Sequence, residues 1–414
     1  MSIRQNIHRR HFLIGSAIAV ASPYIVPRAA FGANEKITTG HIGVGRQGTS
    51  NLKDLLDHAV AVCDVDKQHA ANAQKLVAGK NGKCDVYGDF RKMLDRKDID
   101  AVVVSTPDHW HALATIFSCQ AGKHVYCEKP LTHGILEGRK MVEAARRNKC
   151  IVQTGSQQRS DERFRYACEL VRNGRLGKLD RIEVGLARTN HPGALGPDTD
   201  PPEWLDYDLW LGPAPYRPYN EKRIHYNFRF WLDYSGGQIT NWGAHNLDIA
   251  HWALGVDDSG PTEVSGTAVF DAEKRFTVPD TVDMTYLYGD GLKVHFGQKY
   301  RSDAFYGEKG SLFVSRSKLE SDPEDIIKQP IGPNEIHLYK SDDHHQNWLE
   351  CIRSGNLPIC DVEIGHRTAA ACHLAKLSAV LGRKIRWDPA KEQVIDDPEA
   401  AAMTVPHYRA PWTL

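Results

Sequence analysis

The chain has 414 residues, enough for two or three well-filled domains, and its 41% hydrophobic and 25% charged content is ordinary for a globular protein. The net charge of zero hides an asymmetry: residues 1–33 carry Arg4, Arg9, Arg10 and Arg28 and no acid, which leaves 48 basic against 52 acidic side chains, a net of −4, in the remainder. A mildly acidic body excludes a general nucleic-acid or membrane-surface binder, and nothing after residue 33 is apolar for long enough to form a membrane span.

The first 33 residues fall into three zones. Met1–Arg10 is basic, Phe12–Val26 is mostly apolar but interrupted by Pro23, and "RAAFGA" supplies the small residues of a cleavage site near Ala30–Ala33. The run "IHRRHFLIGSA" resembles a twin-arginine export signal, read by machinery that moves proteins already folded. That resemblance implies a periplasmic or other extracytoplasmic protein, with the twin-arginine machinery as a partner. Nine cysteines follow the leader, an odd number with no CxxC pair, several of them in apolar runs such as "AVCDV" and "HVYCEK". That usage predicts buried free thiols rather than a disulfide framework.

From residue 34 the pattern alternates strand and helix. "KITTGHIGVG", "HAVAVCDV", "DIDAVVVSTP", "KHVYCEKP" and "CIVQTGS" read as strands; "KQHAANAQKLVAG", "HALATIFSCQAG" and "ILEGRKMVEAARRN" read as the helices between them. This rhythm predicts an α/β domain with a doubly wound parallel sheet over residues 34–155. A helix, "DERFRYACELVRNG", opens the next domain, expected over 156–385. Its period-two runs "RIEVGLAR", "TEVSGTAVF", "TVDMTYLY", "LKVHFGQKY" and "GSLFVS" predict a mixed, largely antiparallel open sheet. The aromatic-rich stretch from Glu203 to Gly237 has no clear period and reads as a long ordered loop. A strong helix, "IGHRTAAACHLAKLSAVLG", precedes a Pro- and acid-rich tail at 386–414.

Three motifs carry chemistry. Gly43-Val44-Gly45-Arg46-Gln47-Gly48 follows a strand and opens a helix, the GxGxxG pattern that cradles a pyrophosphate on free N–H groups. Asp64, at the end of the second strand, is placed to accept from both ribose hydroxyls, which favours NAD over NADP. "STPDHWH", with Ser105, Thr106, Pro107 and His109, ends the fourth strand; "CEKPLT", with Glu128 and Lys129, ends the fifth. Both lie where open α/β sheets bind ligands. Pro130 restricts Lys129 to extended backbone, and a lysine partly desolvated there can take the proton of a substrate hydroxyl. The adjacent His344-His345 and the His109/His111 pair lack the partners of a zinc site, so no metal is expected.

Together these motifs resemble, in order and spacing, the Gfo/Idh/MocA family of oxidoreductases, and "GGQITNWGAHNLDIAHWALG" is similar to that family's substrate-domain motif. The resemblance implies a Rossmann domain followed by a mixed-sheet α/β domain. It implies a nicotinamide cofactor and a small-molecule carbohydrate between them, and a homo-oligomer built through the open face of the second sheet. It makes Lys129 and His245 the catalytic residues and places Gln157 near cofactor or substrate. One departure stands out: the family often has an acid four residues before the histidine, where this sequence has Asn241. An amide brings no charge, so His245 should be less basic unless Asp248 or Asp233 supports it.

The expected activity is oxidation of a sugar, polyol or sugar derivative with a tightly held nicotinamide, since no free pool of it exists outside the cytoplasm. Two other readings fit: a glycosidase or epimerase that oxidises its sugar only transiently, and a non-catalytic sugar binder with a degraded site, suggested by Asn241.

Overall fold

The computed structural model describes residues 36–289 and 291–414; the leader expected at 1–33 lies outside the described residues. Strand β1 (Thr39–Ile42), helix α1 (Arg46–Asp54), β2 (Ala59–Cys63), α2 (Lys67–Asn81), β3 (Asp85–Tyr87), α3 (Phe90–Leu94), β4 (Ala101–Val104), α4 (Asp108–Gln120), β5 (His124–Cys127), α5 (Ile135–Arg147) and β6 (Val152–Thr154) follow in strict alternation. The six strands pair in parallel in the order β3-β2-β1-β4-β5-β6. Helices on both faces explain why β1 and β4 are buried along their whole length. The first strand is only four residues long, because its polar start lies outside the sheet. The order reverses between β1 and β4, and the crevice beyond their carboxyl ends is where such sheets bind ligands.

After β6 come a 3-10 turn at Gln157–Ser160, α6 (Glu162–Arg172) and β7 (Leu179–Gly185). The aromatic-rich stretch follows and holds more than a loop. It contains α7 (Tyr207–Leu211) and a 3-10 turn at His225–Phe230, built around a small core of Tyr207, Trp210, Phe230, Trp231, Tyr234 and Phe276. Next are α8 (Gln238–Asn241), α9 (Gly243–Leu254), β8 (Glu263–Phe270), β9 (Pro279–Leu287), β10 (Lys293–Gly297), β11 (Asp303–Gly307), β12 (Gly310–Val314) and β13 (Leu319–Asp322). Then come α10 (His344–Ser354), α11 (Val362–Leu381), β14 (Ile385–Asp388), β15 (Gln393–Val394) and α12 (Pro398–Ala402). The nine strands order as β13-β12-β11-β7-β10-β9-β8-β14-β15. Only β7 and β10 pair in parallel, which makes the sheet mixed and mostly antiparallel. One face, carrying Ile182, Val184, Tyr286, Phe296 and Phe305, packs with α6, α9 and α11 into the larger core.

Chain order and spatial grouping part company at the C-terminal end. Helix α10 returns to the first sheet, where Trp348, fully buried, meets Tyr126 of β5 with ring centroids 5.8 Å apart. The tail is likewise docked: Tyr408 donates to Glu137 Oε1 at 2.5 Å, and Trp412 packs edge-on against Trp110 at 4.8 Å. Among the described residues no helix is long and apolar enough to cross a membrane.

One buried cluster joins the elements around the crevice. Arg159, on the 3-10 turn after β6, is 1% exposed and grips Asp248 of α9 through Nε at 2.8 Å and Nη2 at 2.9 Å. Its other edge binds Asp257 at 2.7 and 3.1 Å, and Thr368 of α11 donates to Asp248 Oδ1 at 3.0 Å. Breaking such a pair from one side strands a buried charge, typically at about 3–5 kcal/mol. Asp248→Ala is therefore expected to lower unfolding free energy by about 3 kcal/mol in denaturant titration. A loss under about 1 kcal/mol would contradict this role.

Candidate active site

The crevice is a cleft of about 590 Å³ bordered by the glycine loop, the ends of β4 and β5, the 3-10 turn at His225–Phe230, and α8. Gly43 has φ +79°, and a Cβ there would lie 2.8 Å from Ser105 O; a Cβ on Gly48 would lie 1.9 Å from Gly43 O. Both positions therefore require glycine. Gly45 differs: a Cβ there would meet nothing nearer than the His69 ring at 3.4 Å, because it borders the cleft itself. Helix α1 begins after Gly45 with no side-chain cap and no acid in its first turn. Its leading N–H groups are thus left for an anion. Arg46 and Gln47 line the same mouth, and Gln47 Nε2 also reaches Glu128 Oε1 at 3.2 Å. Asp64 accepts from Val44 N at 2.8 Å through Oδ2 and from Asp66 N at 2.9 Å through Oδ1, which fixes its carboxylate at the cleft edge. This cradle fits a dinucleotide: tight turn, open approach at Gly45, free helix start and an oriented acid.

Ser105, Thr106 and Pro107 form the opposite wall. Thr106 Oγ1 is buried without a hydrogen-bond partner among the described residues, a polar atom that a ligand can satisfy. Glu128 is buried and anchors the loops, accepting from Asn51 Nδ2 at 2.9 Å while Asn51 also donates to Ser105 Oγ at 2.9 Å.

His109 does not reach the cleft. Helix α4 starts at Asp108, so residues 108 and 111 share a face and 109 turns away from them. Its ring lies against Trp210 and Tyr234, with Nε2 on Trp210 O at 3.0 Å, and burial pushes its pKa down to about 4. Asp108 and His111 take the cleft positions instead. His111 faces two carbonyls, Pro130 O at 2.8 Å from Nδ1 and Thr106 O at 2.9 Å from Nε2, so both nitrogens must donate and the ring is an imidazolium. Burial opposes that charge, but the Cys127 sulfur, Asp108 and the Pro130 carbonyl prevail and raise its pKa to about 10. Asp108 accepts from Ser235 Oγ at 2.6 Å, and burial raises its pKa despite His111 and Lys129 nearby.

Lys129 is half-buried in the cleft wall. Its Nζ donates to Asn241 Oδ1 at 2.7 Å and to Asn241 O at 3.3 Å, while Asn241 Nδ2 donates to Gln238 Oε1 at 3.1 Å. Desolvation lowers the lysine's pKa to about 8, against the pull of Glu128 and Asp108 and with help from Arg229 and Arg316. His245 is 5% exposed and lies behind this contact; Asn241 and Trp242 take the cleft-facing positions. Burial holds His245 well below the usual histidine range, and Lys129 and Arg316 push it further down. Neither alternative acid supports it. Asp248 is held by Arg159 and Thr368, and Asp233 pairs with Arg217. His245 is accordingly neutral.

Gln157 is exposed and lies off the cleft; its neighbour Gln158 is buried instead, with Nε2 3.3 Å from both His245 O and Asn246 Oδ1. The cleft also holds Asp108, His225, Tyr226, Arg229, Trp242 and Arg316, which the sequence reading did not single out as site residues. Asp108 sat inside the quoted "STPDHWH", and Arg229 is the lone cation in "YNFRFW", so both left a signal. Arg316, in a strand-end turn, left none. At the rim Asp66, His69 and His225 bring ligand-capable atoms within 4.8 Å of one another, with His225 Nε2 3.2 Å from Asp66. This cluster ties the 203–234 segment to α2, alongside Lys67 N on Trp204 O at 2.9 Å and Asp206 N on Val65 O at 3.0 Å.

Comparison with known proteins agrees with this layout. Residues 37–156 match the Gfo/Idh/MocA oxidoreductase family's NAD-binding Rossmann fold, and residues 194–414 match the same family's C-terminal alpha/beta domain. The chain is 32% identical over 289 residues to myo-inositol 2-dehydrogenase of Thermotoga maritima, covering 68% of this chain and 74% of that one. It is 30% identical over 221 residues to alpha-N-acetylgalactosaminidase of Shewanella oneidensis, covering 46% of this chain and 44% of that one, so it spans under half of that relative. The crystal structure of aldose-aldose oxidoreductase from Caulobacter crescentus complexed with glycerol shares the fold, with a TM-score of 0.64 at 20% identity over 85% of this chain and all of that one. A glycine cradle at a Rossmann switch point, a lysine at the end of β5 and both matched domains make this chain a member of the Gfo/Idh/MocA family, an oxidoreductase with an NAD-binding Rossmann domain.

Proposed function

We propose that this protein oxidises a hydroxyl of a sugar, polyol or sugar derivative, with Lys129 accepting the hydroxyl proton. The observation that carries the reading is Lys129 itself: an ammonium in the cleft wall, pinned by the neutral Asn241 at 2.7 Å and brought down to about 8 by burial. The likeness to myo-inositol 2-dehydrogenase supports a polyhydroxylated substrate. When bound, the dinucleotide supplies the acceptor for the hydride that leaves the substrate carbon as its C–O bond becomes a carbonyl. Lys129 takes the proton released in that step. Asn241 aims the lysine, and His245 and Trp242 shape the wall behind it.

Only unprotonated Lys129 can accept. The oxidation rate is therefore expected to rise with pH through about 8 and level off above it. Asn241→Asp puts a carboxylate beside Nζ, raises the lysine pKa and moves that limb up by one unit or more. Lys129→Met is expected to lower kcat by about 10³-fold while the cofactor stays bound. Full activity in Lys129→Met would refute the assignment.

NAD is read as the preferred cofactor. Asp64, held by two backbone N–H groups, would repel a 2′-phosphate. Calorimetric titration is expected to show NAD binding more tightly than NADP, with Asp64→Ser narrowing the gap; a preference for NADP in the unmodified protein would contradict it.

The cofactor is also read as tightly held and exported with the folded chain. The 203–234 segment supports this, since it runs from the edge of β2 across the cleft and sets Tyr226 beneath the Arg46 guanidinium at 5.0 Å. All nine cysteines are buried, as suits a chain folded before it meets an oxidising compartment. Mature protein purified from the periplasmic fraction and dialysed without cofactor is expected to release about one nicotinamide per site on denaturation, corresponding to a Kd well below micromolar. An empty protein that needs free NAD at each turnover would overturn this part. The likeness to alpha-N-acetylgalactosaminidase favours a second reading, in which the hydride returns to the sugar after a glycosidic bond is cleaved. Glycan products without net NADH would identify it.

A further inference from the structure

Two arginines face the cleft with their end nitrogens unspent. Arg229, on the His225–Phe230 turn, donates Nε to Tyr226 O at 2.8 Å and lies 3.8 Å over the Tyr226 ring. Arg316, in the turn after β12, donates Nε to Gln158 Oε1 at 3.0 Å and lies 4.8 Å over Trp242. Among the described residues neither has a carboxylate within 4 Å, and neither uses its terminal Nη groups in a hydrogen bond. A guanidinium stays charged at any working pH and offers its donors as a planar fork. Burial already works against both charges, so an anion in the cleft would relieve them. Lys129 adds a third cation, and the nearby Asp108 is a buried carboxyl already engaged by Ser235.

Building on the proposed oxidation at Lys129, we propose that the substrate is an acidic sugar, a uronate or aldonate, whose carboxylate is held by Arg316 while the reacting hydroxyl meets Lys129; Arg229 shares the Tyr226 ring with Arg46 of the glycine loop and belongs to the cofactor half. Arg316 sits by Asn241 and Trp242, away from the glycine cradle, and so belongs to the substrate half of the cleft. A carboxylate matches the planar fork of the Arg316 guanidinium and can accept from its free Nη groups. It also fits the chemistry better than a phosphate. A dianion this close would raise the lysine pKa more than a carboxylate does and leave less of the unprotonated base that the oxidation needs.

The test uses the holoenzyme as purified, with matched neutral and acidic sugars: glucose against glucuronate and gluconate, galactose against galacturonate, and glucose 6-phosphate as the phosphate control. The acids are expected to exceed their neutral partners in kcat/KM by about 100-fold, with the advantage shrinking as salt rises. Arg316→Gln is expected to cut the acid-to-neutral ratio to within a few-fold, mainly through KM, with the bound nicotinamide content unchanged. Arg229→Gln, altered on the Arg46 side of the cleft, is expected to leave that ratio within a few-fold of the unmodified protein. Neutral sugars oxidised as well as acids, or a phosphate ester preferred over both, would overturn the inference and leave the oxidation reading intact. An Arg229→Gln variant that loses the acid preference while Arg316→Gln keeps it would also overturn the inference. If no sugar of any kind reduced the bound cofactor, the proposed oxidation itself would fall.

Discussion

An ammonium that leaves water needs either a counter-charge or a reason to lose its proton, and Lys129 is given the second. Its direct partners are the two oxygens of Asn241, an amide and a carbonyl, and neither carries charge. The neighbouring Glu128 is occupied by Asn51, Gln47 and a backbone N–H. The shift from 10.5 to about 8 corresponds to roughly 3–4 kcal/mol of lost preference for the charged form, at about 1.4 kcal/mol per unit. An acid at position 241 would stabilise the charge and leave a firmly protonated lysine. Under the proposed oxidation, Asn241 is the residue that keeps the lysine near its working range. Burial leaves His245 neutral as well, and among the described residues no carboxylate pairs with Arg229 or Arg316.

This environment is held in place from outside the cleft. Asn241 and His245 sit on α8 and α9, and α9 is fixed by Asp248, which Arg159 and Thr368 grip from the β6 crossover and from α11. The lysine and the amide that aims it come from different domains, yet their separation is set by one buried, multiply bonded cluster. The 203–234 segment bridges the same gap at the other end of the cleft, through Trp204, Leu205 and His225 against the start of α2.

Much of this was legible in the sequence where local pattern and tertiary environment agree. The strands of the parallel sheet are buried on both faces and read as short apolar runs. The glycine motif names its own backbone geometry, and Lys129 is marked by the motif around it. Helix positions were harder to read. His109 belonged to a correct motif, but its direction depends on α4 starting at Asp108, and the cleft-facing residues proved to be Asp108 and His111. Gln157 missed by one residue for a similar reason: on a 3-10 turn the side chains rotate quickly, and Gln158 points inward. Helix α10 and the tail escaped because their aromatic residues pack against partners more than 200 residues away in the chain, Trp348 on Tyr126 of β5 and Trp412 on Trp110 of α4, beyond any local period. Arg316 carried no sequence signal, because only the folding of the β12–β13 turn beside Trp242 brings it to the site.

The proposed chemistry depends on the protonation state of one side chain, Lys129, and that can be observed directly. Nitrogen-15 NMR of selectively labelled lysine in the folded protein, with Lys129→Met to assign the signal, would follow the Lys129 amine through pH without reference to any substrate. A midpoint near 8, moving upward in Asn241→Asp, is the result expected from a desolvated ammonium held by an amide. A midpoint near the ordinary lysine value of about 10.4 would contradict it.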